Sequence, residues 1–361
     1  MEKELARNDP ETGLEVTHSR LKACLMLSKA SVNINQSFQV VDSHTAGMPT
    51  RVLIEGSPTP KGRDMSEKKD FFRKNFDFVR TTLMQEPRGN SGMAAVLVPP
   101  SSQEADYGVI FGDFSGYVDM CIHGTIGLAT TLVELGYVNA EKARRGLVFD
   151  TPAGLVRTKA NISGGRVKSV TVRNVPSFTY TDRVMDIPSL GKIPVSFAFG
   201  GNNFAYVNSS DLRLELDPSR LGELLAAGRL LLREVKRLIR HPVNGVKING
   251  ISGVSIVQDF SPRHAKNIMI AENDLFDRSP CGTGTCGRMA ILNSNGRLKK
   301  GERFINESII DSKFVGRIAD FEKMDGHKAI VPEITGTAYL TAISDILVSN
   351  DDRLSHGFLV A

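Results

Sequence analysis

The sequence predicts a mixed α/β protein made of two similar lobes. Three observations predict it: strand-like and helix-like segments alternate along the chain, the same order of segments occurs twice, and a cysteine followed by a Gly/Thr turn stands at the matching place in each half. A chain of 361 residues with 41% hydrophobic and 24% charged content lies in the ordinary globular range. It is long enough for two cores of about 150 residues each.

Residues 1 to 35 are polar, lack a sustained period and read as a lead. Phe38 to His44 reads as a strand, Ala46-Gly47-Met48-Pro49 as a turn and Thr50 to Ile54 as a second strand. Ser66 to Leu83 carries Phe71, Phe72, Phe76, Val79 and Leu83 at helical steps, with Ser66 placed to cap a single helix. Gly108 to Phe111 reads as strand, Gly124 to Leu135 as a buried helix, Leu147 to Thr158 as a hairpin and Val167 to Val172 as strand. The order then recurs. Ile193 to Val207 repeats the strand, glycine turn and strand; Leu224 to Ile239 gives a helix and Asn267 to Ile270 a strand. Gly282 to Leu292 gives a second buried helix, and Phe304 to Ile318 and Ala338 to Val348 give strands. Gly47 stands 74 residues before Cys121 and Gly201 stands 80 before Cys281, which supports a duplication. The first lobe is therefore placed at 36 to 184 and the second at 185 to 350, with the join near Asp182 to Lys192. Residues 351 to 361 are expected to cross back to the first lobe.

Several function classes fall away. The 45 Lys and Arg are mixed with 40 Asp and Glu rather than gathered into a stripe, so nucleic acid is not an expected partner. Arg229 to Arg240 reads as an amphipathic helix with a solvated basic face. Cys24, Cys121, Cys281 and Cys286 are too few and too scattered for a disulfide framework, which points to a reducing compartment. No apolar run approaches the roughly 20 residues that cross a bilayer, so no membrane is expected, and Ala23 to Leu27 is too short for a signal peptide. A cytoplasmic protein is the expectation.

Two segments carry chemistry: Asp119-Met120-Cys121-Ile122-His123-Gly124-Thr125-Ile126-Gly127 and Asp277-Arg278-Ser279-Pro280-Cys281-Gly282-Thr283-Gly284-Thr285. Each sets a cysteine ahead of a Gly/Thr turn that opens a helix. Such a helix start has unpaired N–H groups and the positive end of the peptide dipole, which bind anions and favour a thiolate. A lone free cysteine is more often a small buried hydrophobe. Two at equivalent positions of duplicated halves are different, because a pseudo-twofold axis brings both helix starts to one cleft. A thiolate on one side can take the α-proton of an amino acid while a thiol on the other returns a proton to the opposite face. The ordinary thiol pKa of about 8.5, drawn toward neutrality by the helix start, suits such a base. Converging N–H donors on the carboxylate would stabilise the carbanion.

The two segments resemble the signatures of the proline racemase family, cofactor-independent enzymes that include 4-hydroxyproline 2-epimerases and trans-3-hydroxyproline dehydratases. Asp42 to Gly47, Pro49-Thr50-Arg51, Glu86 to Gly89 and Asp150 to Gly154 extend the likeness over nearly everything after residue 37. The resemblance implies a diaminopimelate epimerase-like fold, in which each lobe is a barrel-like sheet around a central helix and the active site lies between the lobes. It implies that Cys121 and Cys281 are the two acid/base thiols and that Asp277 accepts the substrate ammonium. It also implies that the N–H groups of Ile122, His123, Gly282 and Thr283, with Gly124 beside them, form the substrate-binding cradle. It further implies no cofactor or metal and a small cyclic substrate, proline or a hydroxyproline. Dehydratases of the family have Thr at the second cysteine, so Cys281 argues for racemisation or epimerisation. One departure stands out: the family usually has Gly where this chain has Ile122, which keeps the N–H donor while its branched side chain is expected to narrow the pocket.

Cys286 stands where the family commonly has Ser and reads as a core residue. His44 reads as a structural hydrogen-bonding residue. Arg88 reads as a carboxylate-orienting group or a structural ion pair. Cys121 and His123 alone are a weak zinc signal, and Gly282 to Thr285 lacks the lysine of a phosphate loop. Two other readings stand beside racemisation: a trans-3-hydroxy-L-proline dehydratase, and a silent amino-acid-binding or redox thiol protein. The sequence leaves open which thiol is ionised at rest and the number of copies, a homodimer included.

Overall fold

The computed structural model describes residues 34, 36–89 and 92–360 of the chain. The lead of residues 1 to 35 lies, Ile34 apart, outside the described residues, as does Cys24.

The first lobe begins with the hairpin β1 (Gln36–Thr45) and β2 (Met48–Glu55), turned at Ala46 and Gly47, both at positive φ. Helices α1 (Met65–Asn75) and α2 (Asp77–Met84) cross over to β3 (Met93–Val98), which is followed by β4 (Tyr107–Gly112) and the short β5 (Tyr117–Val118). Helix α3 (Ile122–Glu134) and the short α4 (Ala140–Arg145) lead to β6 (Leu147–Thr151), β7 (Gly154–Ser163) and β8 (Arg166–Arg173). The second lobe carries β9 (Phe178–Ile187), β10 (Gly191–Phe199) and β11 (Asn203–Asn208), then α5 (Ser209–Leu212) and α6 (Leu221–Leu238). It continues with β12 (Gly253–Ser261), β13 (His264–Ile270), α7 (Gly282–Ser294), β14 (Arg303–Ser308), β15 (Lys313–Met324) and β16 (His327–Gly336), and the chain returns through β17 (Ala338–Val348).

The duplication is complete at the level of strand pairing. From β17 the first sheet runs β17-β1-β2-β3-β4-β6-β7-β8, and from β9 the second runs β9-β10-β11-β12-β13-β14-β15-β16. In both paths the second and fourth links after the opening strand pair are parallel and the rest antiparallel. Parallel neighbours need a crossover, and the crossovers are helices. Thus α1 and α2 in one lobe correspond to α6 in the other, and α3 corresponds to α7. Antiparallel pairing of β8 with β16 joins the sheets at equivalent strands.

The crossover helices differ in what surrounds them. Every residue from Ile122 to Leu132 of α3 and from Gly282 to Leu292 of α7 is buried, as a helix enclosed on all sides by sheet must be. One continuous apolar cluster holds both, with Ile126 and Phe111 on one side and Met289, Phe304 and Phe314 on the other. The other helices pack outside. Phe72, Val79 and Leu83 close a cluster on the outer face of the first sheet; Leu224, Leu231 and Val235 of α6 close one on the second. The basic face of α6 lies in solvent, with Arg229 on Asp274 and Lys236 on Glu272.

Several sequence expectations are corrected. The single helix over Ser66 to Leu83 is two, broken at Phe76 (φ −133°, ψ 19°), whose ring meets those of Phe71 and Phe72 at 5.7 Å. The first is capped by Asp64, which accepts the Glu67 N–H at 2.8 Å, and not by Ser66. The expected join at 182 to 192 is the hairpin of β9 and β10. Strand β17, counted above with the second lobe, pairs along its length with β1. Residues beyond it lie on the first sheet's side, with Asp352 on Arg88 and Phe358 bridging Glu86. We therefore group β1 to β8 and β17 around α3, and β9 to β16 around α7. Among the described residues no helix is long and apolar enough to cross a membrane.

Candidate active site

Helices α3 and α7 start at one cavity of about 60 Å³ between the two sheets, and Cys121, Ile122, His123, Asp277, Cys281, Gly282 and Thr283 all line it. Sequence reasoning named all seven. Each cysteine is the residue just before its helix, and both are nearly fully buried. Their backbones are tied in the same way: the Thr125 N–H donates to the Cys121 carbonyl at 2.9 Å and the Thr285 N–H to that of Cys281 at 2.7 Å. Cys121 Sγ accepts the Gly124 N–H at 3.3 Å. Gly124 itself is not among the residues lining the cavity. Glycine is needed three residues past each cysteine, because a Cβ at Gly124 would come 3.2 Å from Cys121 Sγ and one at Gly284 2.8 Å from Cys281 Sγ.

The halves differ where it matters for a ligand. Cys121 has ordinary extended backbone (φ −141°), whereas Cys281 sits at φ 56°, ψ 93°, a region that side-chain-bearing residues avoid. Asp277, buried, accepts the Ser279 N–H at 2.8 Å, and its other oxygen lies 3.7 Å from His123 Nδ1. His123 Nδ1 is also 3.4 Å from Cys121 Sγ. Asp113 reaches the cavity as well, with one oxygen occupied by the Ser115 and Gly116 N–H groups of its own turn. At the pseudo-axis the first residues of α3 and α7 meet, since a Cβ on Gly282 would lie 2.4 Å from Ile122 Cβ. Ile122 lines the cavity, as do the apolar side chains of Met48, Met120, Phe204 and Met269.

The electrostatics correct one expectation. The helix starts were expected to draw the thiols toward ionisation, but burial pushes both upward, well above the ordinary range, and the Asp277 carboxylate adds to the effect at each. The Gly124 N–H at Cys121, and Gly284 and Thr283 at Cys281, offset only part of it. His123 is pushed down by burial, with Asp277 opposing. In this structure the neutral thiols and neutral imidazole are favoured.

The remaining candidates lie elsewhere. Arg88 pairs with Asp352 at 2.5 Å and donates to the Leu347 carbonyl, a structural role. His44 Nδ1 accepts the Gly47 N–H at 3.3 Å within the first hairpin turn. Cys286 is buried in the core. Among the described residues no group of three or more His, Cys, Asp or Glu could hold a metal ion. Sequence reasoning missed Asn202, which reaches from the β10–β11 turn to the cavity wall. Its only sequence signal is the Gly200-Gly201 turn before it, read above as a repeat marker.

The fold is of the diaminopimelate epimerase-like class, and the relatives that share this fold and sequence are isomerases acting on amino acids. Residues 40–359 match the family model described as proline racemase. A proline racemase of Clostridioides difficile is 38% identical over 339 residues, covering 91% of this chain and all of that one. A 4-hydroxyproline 2-epimerase of Streptosporangium roseum is 40% identical, covering 90% of this chain and 98% of that one. A crystal structure of a hydroxyproline epimerase from Agrobacterium vitis with bound trans-4-hydroxy-L-proline superposes with a TM-score of 0.84 at 28% identity, covering 91% of this chain and 97% of that one. The chain belongs to the proline racemase family.

Proposed function

We propose that the protein is an amino-acid racemase or epimerase that inverts the α-carbon of proline or a hydroxyproline, with Cys121 and Cys281 working on opposite faces of that carbon. The observation that carries this reading is that two cysteines, each heading an equivalent buried helix, line one cavity. In the reaction the thiolate of one cysteine takes the α-proton, the C–H electron pair remains on carbon and spreads into the carboxylate, and the thiol of the other cysteine gives its proton to the opposite face. The starting thiolate becomes a thiol and the starting thiol a thiolate, so the pair ends ready for the reverse direction.

The N–H groups at the starts of α3 and α7, those of Ile122, His123, Gly282 and Thr283, would hold the carboxylate and the charge that develops on it. Asp277 would take the substrate ammonium. That pairing also bears on the thiols, because the Asp277 charge is one of the causes that holds both of them up. An ammonium seated there cancels the charge and favours a thiolate only when substrate is present. Incubation with L-proline and with trans-4-hydroxy-L-proline in D2O, followed by proton NMR, tests the reading. The expected result is loss of the α-proton and growth of the inverted isomer on one or both; an intact α-proton on every cyclic amino acid tried would overturn it.

A further inference from the structure

The backbone leading to Cys121 is held from the opposite lobe. Asn202, in the turn between β10 and β11 and 8% exposed, accepts the Asp119 N–H on its Oδ1 at 3.2 Å and donates from Nδ2 to the Met120 carbonyl at 2.6 Å. A backbone N–H can only donate and a carbonyl only accept, so the two contacts fix which way the carboxamide points. The turn is itself braced: the Gly200 N–H donates to the Asn202 carbonyl at 2.9 Å and Asn174 Nδ2 to the Gly200 carbonyl at 2.8 Å. Gly201 lies so close that a Cβ there would be 3.1 Å from Met120 Cβ. On the other side Lys69 of α1 pairs with the Asp119 carboxylate, so the two residues before Cys121 are gripped by both lobes.

Cys281 has no such grip from the opposite lobe: the Pro280 carbonyl before it accepts hydrogen bonds from Asn306 Nδ2 at 3.2 Å and Thr285 Oγ1 at 3.0 Å, both from its own lobe. Aligned on the turn glycines Gly47 and Gly201, the first lobe has Met48 where the second has Asn202, and Met48 has no carboxamide. The Cys281 N–H instead donates to Ser279 Oγ at 3.2 Å, within its own segment. We propose that Asn202 is a positioning residue for Cys121 alone: the second lobe uses it to bring that thiol to its reacting place only when the lobes are apposed. The proposal rests on the two-thiol reading above.

The test uses the full chain with Asn202→Ala and the isosteric Asn202→Asp, which keeps the shape but turns an acceptor toward the Met120 carbonyl. Both variants should lose about tenfold to a hundredfold in kcat with KM within about threefold. The equilibrium constant ties the kcat/KM values of the two directions together, so a defect at one thiol shows in isotope effects. With α-deuterated substrates, the isotope effect on kcat/KM should rise in the direction in which Cys121 takes the proton and fall in the other. Equal changes in both directions, or an unchanged kcat, would overturn the proposal. Alkylation by iodoacetamide, read by mass spectrometry, tests it without turnover: Asn202→Ala should speed labelling of Cys121 at least about fivefold more than that of Cys281. Parallel acceleration of both would mean simple lobe opening and would also overturn it. A parent enzyme inactive on every substrate would sink the two-thiol reading, while the labelling ratio would still decide the role of Asn202.

Discussion

Gly282→Ala offers a severe check on the site, because its cost can be read from one contact. Gly282 is absent from the residues with left-handed backbone, so alanine is conformationally allowed there. The obstacle is steric: the new Cβ would lie 2.4 Å from Ile122 Cβ and 2.5 Å from its Cγ2. A Cβ position is set by backbone, so no rotamer change relieves the first contact. The two helix starts must part by about 1 Å to restore ordinary carbon contact. The thiols head those helices and move with them, and a misplacement of about 1 Å costs on the order of a hundredfold in rate, about 2.7 kcal/mol. Gly282→Ala should therefore cut kcat/KM about a hundredfold. In an Ile122→Gly background the space is free, and the same substitution should cost less than about fivefold, a coupling of about 2 kcal/mol. The four proteins of the cycle are compared by α-proton exchange in D2O and by optical rotation. An equal loss in both backgrounds would refute the shared-space argument, and with it the claim that the helix starts meet at the axis.

Other consequences follow from the backbone and from burial. At Cys281, with φ 56°, glycine should be more stable than alanine by about 1 kcal/mol in urea denaturation, while at Cys121, with φ −141°, the order should be reversed. Burial raises the Cys286 thiol above its ordinary range, so the fold favours the neutral form; that stability is complete below about pH 8.5 and lost as pH rises beyond it. Above pH 9 the parent should therefore lose about 1.4 kcal/mol per pH unit more than Cys286→Ala. His123 is lowered from 6.5, so the fold favours neutral imidazole and loses stability as pH falls below 6.5. His123→Asn should flatten the acid side of the stability curve between pH 6.5 and 5.5, and an unchanged slope would place that dependence elsewhere.

How much of this was legible depended on whether the cause was local. The two cysteines, their Gly/Thr turns and the repeated strand-turn-strand were readable because each is a short pattern, and the repeat turned two weak signals into a pair. The break at Phe76 was hidden, since apolar spacing runs through it and the bend comes from rings packing on each other. Strands β3, β12 and β16 left too little alternation to stand out, being buried over much of their length. The place of β17 was misjudged because it follows β16 directly in sequence, whereas its partner is β1, roughly three hundred residues earlier. Thiol ionisation was misjudged for a related reason: a helix start is visible in sequence, but the burial that outweighs it is not.

The asymmetry of the site has a chemical logic. A racemase must let either thiol attack, which favours symmetric helix starts, yet must hold its substrate in one orientation, which symmetry alone would not provide. Four residues before Cys281 stands Asp277, open to the cavity; four before Cys121 stands Tyr117, whose hydroxyl is spent on Asp77 at 2.8 Å. Only one lobe thus offers a carboxylate to the cavity at that position. Ile122 opposite Gly282 breaks the symmetry again, at the axis itself. On the proposed two-thiol reading, the duplicated fold would supply two equivalent proton stations, and a few unequal residues between them would decide how a small zwitterion lies.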